Sequence, residues 1–147
     1  MSFWQAVQSV FANYAGFSGR AARSEFWYWI LFATIAGIAA AMADLAVDPD
    51  SDLISGLWGL ATFVPGLAVA ARRLHDADWS GWWLLLFLLP FFGTLFLIVL
   101  FCFRGSHGYN RFGADPLPPE VSLHAAGRSL RRGQTNTAND EAPRPDR

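Results

Sequence analysis

Three stretches of this chain carry no charged side chain: Phe26 to Ala43, Leu53 to Ala71 and Trp82 to Phe103, of 18, 19 and 22 residues. Each is about as long as the ~20 residues a helix needs to cross a hydrocarbon core roughly 30 Å thick. Ahead of them, Phe3, Trp4, Val7, Val10, Phe11 and Tyr14 recur at helical spacing, with Gln5, Gln8, Ser9 and Asn13 on the other side. Ser2 and Gln5 suit a capping box and Gly16 a stop, so a helix over residues 2–15 is expected to lie in the membrane interface. The expected fold class is all-α: a polytopic helical membrane protein with about three transmembrane segments (26–43, 53–71, 82–103) behind an N-terminal interfacial amphipathic helix.

Small residues mark the expected helix contact. Ala33, Gly37 and Ala41 recur every four residues in the first segment, and Ser55, Gly59, Thr62, Gly66 and Ala70 share one face of the second. Pro65 lacks an N–H and crowds the carbonyl four residues back, which predicts a kink between Ala61 and Pro65. The third segment is broken by Pro90 and Gly93. It could fold back as a re-entrant hairpin, but irregular backbone at membrane depth then needs burial in protein, so a kinked full crossing is favoured.

Charge orients the segments. Asp44 to Asp52 holds four aspartates and no basic residue, whereas Arg20 and Arg23 precede the first segment and Arg72 and Arg73 follow the second. The positive-inside rule then predicts a cytoplasmic N-terminus and an acidic loop outside. Trp4, Trp27, Trp29, Trp79, Trp82 and Trp83 would line the cytoplasmic face and Trp58 alone the other. A full third crossing sits awkwardly with this, because it carries Arg104 and Arg111 outside. Ala41-Met42-Ala43 before Asp44 resembles a signal-peptidase site, yet the apolar run exceeds the usual h-region of about 7 to 15 residues, and the first segment is expected to be retained.

Composition narrows the chemistry. Of 147 residues, 53% are hydrophobic, which is too apolar for an ordinary soluble fold of this size. All eleven basic residues are arginine, so Schiff-base and P-loop lysine chemistry are excluded. Cys102 is the lone cysteine, which rules out an internal disulfide and is read as a small packing residue. After Pro116 the chain holds mostly small polar residues and proline, so residues 1–116 are expected to form the membrane domain and 117–147 a disordered polar tail.

Three polar motifs interrupt the apolar background. They are Gly19-Arg20 with Arg23 and Glu25, Arg72-Arg73-Leu74-His75-Asp76 with Ser80-Gly81-Trp82-Trp83, and Asn110-Arg111-Phe112-Gly113 with Asp115-Pro116. In this combination, over about residues 10 to 116, the chain resembles the bacterial inner-membrane domain-of-unknown-function family 805. The resemblance implies a small polytopic protein of the bacterial inner membrane and no established reaction.

Arg20, Arg23, Arg72, Arg73, His75, Asp76, Trp82 and Trp83 form the candidate site, an arginine cluster flanked by tryptophan that suits an anionic lipid headgroup or a protein partner. His75-Asp76 offers only two adjacent ligands, short of a metal site, and neither metal nor cofactor is expected. Asp76 is expected to pair with Arg72 or Arg73, and His75 to cap the helix before it. Ser80 lacks a nucleophile elbow, and a near-neutral charge disfavours nucleic acid. The expected function is a non-enzymatic structural, adaptor or lipid- or partner-binding membrane protein, alone or as a homo-oligomer. The alternative is a subunit of an oligomeric transporter or channel.

Overall fold

The computed structural model describes residues 1–116; the tail expected at 117–147 lies outside the described residues. Its regular elements are helical: α1 (Phe3–Ala12), α2 (Arg23–Val47), α3 (Leu53–Asp76), a 3-10 helix (Gly81–Leu88) and α4 (Phe92–Cys102). Two of them, α2 and α3, are long and apolar enough to cross a membrane.

Ser2 and Gln5 cap α1 reciprocally: the Ser2 N–H donates to Gln5 Oε1 at 2.8 Å, and the Gln5 N–H donates to Ser2 Oγ at 3.4 Å. The apolar side of this helix divides in two. Ala6, Val7 and Val10 are buried and Phe11 meets the edge of Trp29, while Trp4 stays exposed.

The two long helices extend past the charge-free windows, because Arg23 and Glu25 are good helix formers and Asp44 is held by its bonds to the start of the next helix. Pro49 follows the end of α2, as a residue that disfavours helix before it. Buried Asp44 reaches across the connecting loop and accepts the Ile54 and Ser55 N–H groups, both at 2.8 Å. It thus caps α3, whose own positional cap, Asp52, makes no side-chain bond.

Pro65 sits inside α3, which runs on through it. The Ala61 carbonyl, left without a helical donor by the missing N–H, accepts the Tyr14 hydroxyl at 2.7 Å. The helix contact differs from matched small-residue stripes. Trp58 lies in the notch made by Ala33 and Gly37, with its indole N–H on the Ala33 carbonyl at 3.0 Å. An indole donor in apolar surroundings needs an acceptor, and the notch exposes one. Gly66 faces Trp29 and Ala70 is buried; Ser55 meets Asp44, and Thr62 turns back to the Trp58 carbonyl. Gly59 has nothing against it and Ala41 is exposed, so those two take no part in the contact.

The third apolar segment departs most from expectation, since it forms no single helix and doubles back on itself. Gly81 packs against Ala71 and His75, while the Phe103 carbonyl accepts Arg73 Nη2, so both ends of the segment lie beside the C-terminal end of α3. Pro90 and Gly93 cause the reversal. Pro90 has no N–H to continue the 3-10 ladder, Phe91 adopts a positive φ of 69°, and a Cβ at Gly93 would collide with the Leu86 carbonyl. At ~2.0 Å and ~1.5 Å per residue the two arms each reach about 16 Å, half of a hydrocarbon core. Cys102, on the returning arm, is exposed and not a core packing residue.

Candidate functional site: a buried arginine–aspartate knot and the cavity beside it

The return of the chain brings all three polar motifs to one end of α3. Gly19, at φ +87°, turns the α1–α2 loop so that Arg20 points inward, and the Ala21 N–H donates to the Arg72 carbonyl at 3.0 Å. Asp76, buried, then takes one cation on each oxygen: Arg20 Nη2 stands 2.8 Å from Oδ1 and Arg73 Nη1 2.6 Å from Oδ2.

Two guanidinium groups against one carboxylate leave an excess positive charge, and backbone carbonyls absorb it. Arg20 Nη1 donates to the Gly108 carbonyl and Nη2 to that of Ser106, both at 2.5 Å, with Asp115 standing 4.0 Å away. Arg73 donates to the carbonyls of Phe101 and Phe103. Those two lie at the C-terminal end of α4, where the helix dipole and unpaired carbonyls favour a cation. The Ser106 N–H and hydroxyl both donate to the Asp76 carbonyl, and Gly105 approaches the Asp76 carboxylate so closely that no Cβ would fit.

A second ion pair stands apart. Arg72 donates to Glu25 Oε1 at 3.0 Å, and the Ser9 hydroxyl meets the same oxygen at 2.9 Å, linking α3, α2 and α1. Of the two expected partners for Asp76, Arg73 is therefore the one used, joined by Arg20.

His75 does not cap its helix. Its Nδ1 lies 3.2 Å from the Gly19 carbonyl, and its ring stacks on Phe112 at 3.9 Å and 5°. Asn110 makes that stack possible. Its Oδ1 accepts the Phe112 N–H, its backbone pairs with Gly113, and its Nδ2 donates to the His75 carbonyl at 2.9 Å. Arg111 pairs with Asp78 on the exposed side, 3.2 Å apart.

Of the eight residues in the sequence-based site, Arg20, Arg73 and Asp76 form the knot and His75 adjoins it. Arg72 belongs to the second pair. Arg23 is exposed, reaching the Cys102 carbonyl at 3.4 Å; Trp82 lines a small cavity with His75, and Trp83 packs edge-on against Trp79. The free arginine cluster expected for an anionic headgroup is thus not what forms: three of its four cations are buried and engaged with protein acceptors. Glu25, Ser106, Asn110 and Phe112 were missed as site residues, although Glu25 and the Asn110–Gly113 motif stood out as polar interruptions. Among the described residues no three of His, Cys, Asp and Glu gather as a metal site would require.

Below the knot, a cavity of about 780 Å³ opens between α2, α3 and the hairpin, lined by Phe26, Ile30, Gly66, Ala70, Leu88 and Phe101 among others. A smaller one, of about 450 Å³, lies beside His75, Ser80 and Gly81. Phe17, Leu84 and Leu85 line both, so the two adjoin.

Two long apolar helices fastened at one end by buried ion pairs define a small helical membrane protein, and the comparisons agree. The chain belongs to the family described as "Protein of unknown function (DUF805)", whose model matches residues 14–114. It is 50% identical over 108 residues to inner membrane protein YhaI of Escherichia coli (strain K12), covering 74% of this chain and 92% of that protein. To inner membrane protein YhaH of the same organism it is 44% identical over 111 residues, covering 73% of this chain and 92% of that one. These relatives support an inner-membrane location. No solved structure matches the chain.

Proposed function

We propose that this is a non-enzymatic binding protein of the inner membrane, in which two spans and a re-entrant hairpin hold an intramembrane cavity open for an apolar ligand drawn from the bilayer. The observation that carries the reading is the state of the knot. Asp76, the carboxylate nearest to any potential chemistry, has both oxygens occupied by arginine, and those arginines end on carbonyls. Such a network rigidifies, and it leaves none of Arg20, Arg73 and Asp76 free to move a proton. The cavity beside it, of ligand size and mostly apolar lining, is the feature left to bind something.

In this reading the N-terminus and the knot are cytoplasmic. Arg20, Arg23, Arg72, Arg73, Arg104 and Arg111 all fall at one end, the acidic Asp44–Asp52 loop at the other, and the hairpin removes the conflict that a third crossing creates. The test is lipid analysis of full-length protein extracted with its surrounding bilayer. Wild type is expected to retain an enriched amphiphile that Gly59→Phe, which fills the cavity, releases; identical retention in both would contradict the reading.

A further inference from the structure

The cavity pair has a direction. From Ala70, next to the knot, to Gly59 the larger cavity follows three turns of α3, about 16 Å at ~1.5 Å per residue, which is one leaflet of a core roughly 30 Å thick. Its wall there is apolar apart from Thr62 and the indole nitrogen of Trp29, which faces Gly66. The upper end continues past Phe17, Leu84 and Leu85 into the smaller cavity, where His75 and Ser80 supply the polar groups. An apolar channel of leaflet length with a polar mouth at the charged end matches the shape of a lipid.

The mouth also specifies a headgroup. A carbonyl oxygen can only accept, so the contact with Gly19 puts the proton of the neutral His75 ring on Nδ1 and leaves Nε2 as a bare acceptor. Nε2 lies against Gly81, where a Cβ would stand 3.4 Å from it. Ser80 Oγ accepts the Trp82 N–H at 3.4 Å and keeps its own hydrogen to donate. The mouth therefore offers an acceptor at His75 and a donor at Ser80, with Trp82 at its edge. None of the described residues that line it is an arginine: Arg20 and Arg73 are bound to Asp76, Arg72 to Glu25 and Arg111 to Asp78. A phosphate placed here would lose water without gaining a counter-charge, whereas a hydroxyl both donates and accepts.

Resting on the binding-protein reading above, we infer that the site takes a neutral, hydroxyl-headed lipid, such as a diacylglycerol or a long-chain alcohol. Its hydroxyl sits between His75 Nε2 and Ser80 Oγ, and its chain runs along α3 toward Gly59. Gly59 supplies the control, since it lines the cavity and a Cβ there meets nothing within 4 Å.

The experiment uses full-length protein in phosphatidylcholine vesicles that carry a trace of diazirine-tagged diacylglycerol, phosphatidylglycerol or phosphatidylcholine with identical chains. After irradiation the adducts are mapped by peptide mass. The expected result is diacylglycerol labelling around Phe17, Leu84 and Leu85 about tenfold above the other two, the discrimination that one or two net hydrogen bonds supply. Gly59→Phe and the smaller Gly59→Leu both abolish this excess, and Ser80→Ala brings it down toward the phosphatidylcholine level. Equal labelling by all three lipids that Gly59→Phe still blocks overturns the headgroup inference while leaving the binding reading intact. Preferred labelling by phosphatidylglycerol overturns it too. Labelling indifferent to both Gly59 variants overturns inference and reading together.

Discussion

The Tyr14 hydroxyl donates at 2.7 Å to the Ala61 carbonyl, the acceptor that Pro65 strips of its helical partner. A phenol from the segment after α1 thus repairs a defect created in α3, and the site of the expected kink becomes an anchoring point for the N-terminal helix. Removing the hydroxyl leaves a carbonyl unsatisfied at membrane depth. Tyr14→Phe is expected to cost about 1 to 3 kcal/mol by unfolding in mixed micelles. In a Pro65→Ala background the helix recovers its own N–H, so the same change should cost little, and the difference between the two backgrounds measures the repair. Equal cost in both would mean the bond contributes nothing.

Asp76 pairs with Arg20 on one oxygen and Arg73 on the other. Asp76→Asn keeps the shape and strands two buried cations, for which a loss of about 3 to 5 kcal/mol is expected. Arg20→Lys should also destabilise, since an ammonium cannot span the Asp76 carboxylate and the Ser106 and Gly108 carbonyls at once. Denaturation in micelles, with folded yield from the membrane as a second measure, checks both. Wild-type stability in Asp76→Asn would show that the knot does not hold the fold.

Asp44 caps α3 from the preceding helix. Asp44→Ala should lower the melting temperature and speed amide exchange at Ile54 and Ser55, whereas Asp44→Asn, which keeps one acceptor, should lose less. Substituting Asp52, the positional cap without a side-chain bond, should leave exchange at those two amides unchanged.

How far the chain announced this arrangement depends on the range of each contact. The two long helices, the α1 capping box and the charge asymmetry all arise from neighbours in sequence, and all were legible. Pairings across long intervals were not. Arg20 and Asp76 are 56 residues apart, and nothing local distinguishes Arg73 from Arg72, which turn to different partners because adjacent helical positions face about 100° apart. The charges of the site were therefore visible and their mutual neutralisation hidden, which made a closed knot look like an open anion site. Asp44 read as one more loop charge because its role lies across the turn. The third segment misled through length: its 22 uncharged residues suffice for a crossing, and Pro90 and Gly93 permit a kink as readily as a reversal. Tertiary bonds from Ser106 to Asp76 and from Asn110 to His75 decide between the two.

That reversal is the claim on which the rest depends, because it brings the carbonyls that close the knot and one wall of the cavity. Single cysteines at exposed Ser18, Asp50 and Ala114, in a Cys102→Ala background, test it with a membrane-impermeant maleimide applied to intact spheroplasts. The account predicts that Asp50→Cys reacts in intact cells, while Ser18→Cys and Ala114→Cys react only after permeabilisation. Reaction of Ala114→Cys from the side that labels Asp50→Cys would contradict it.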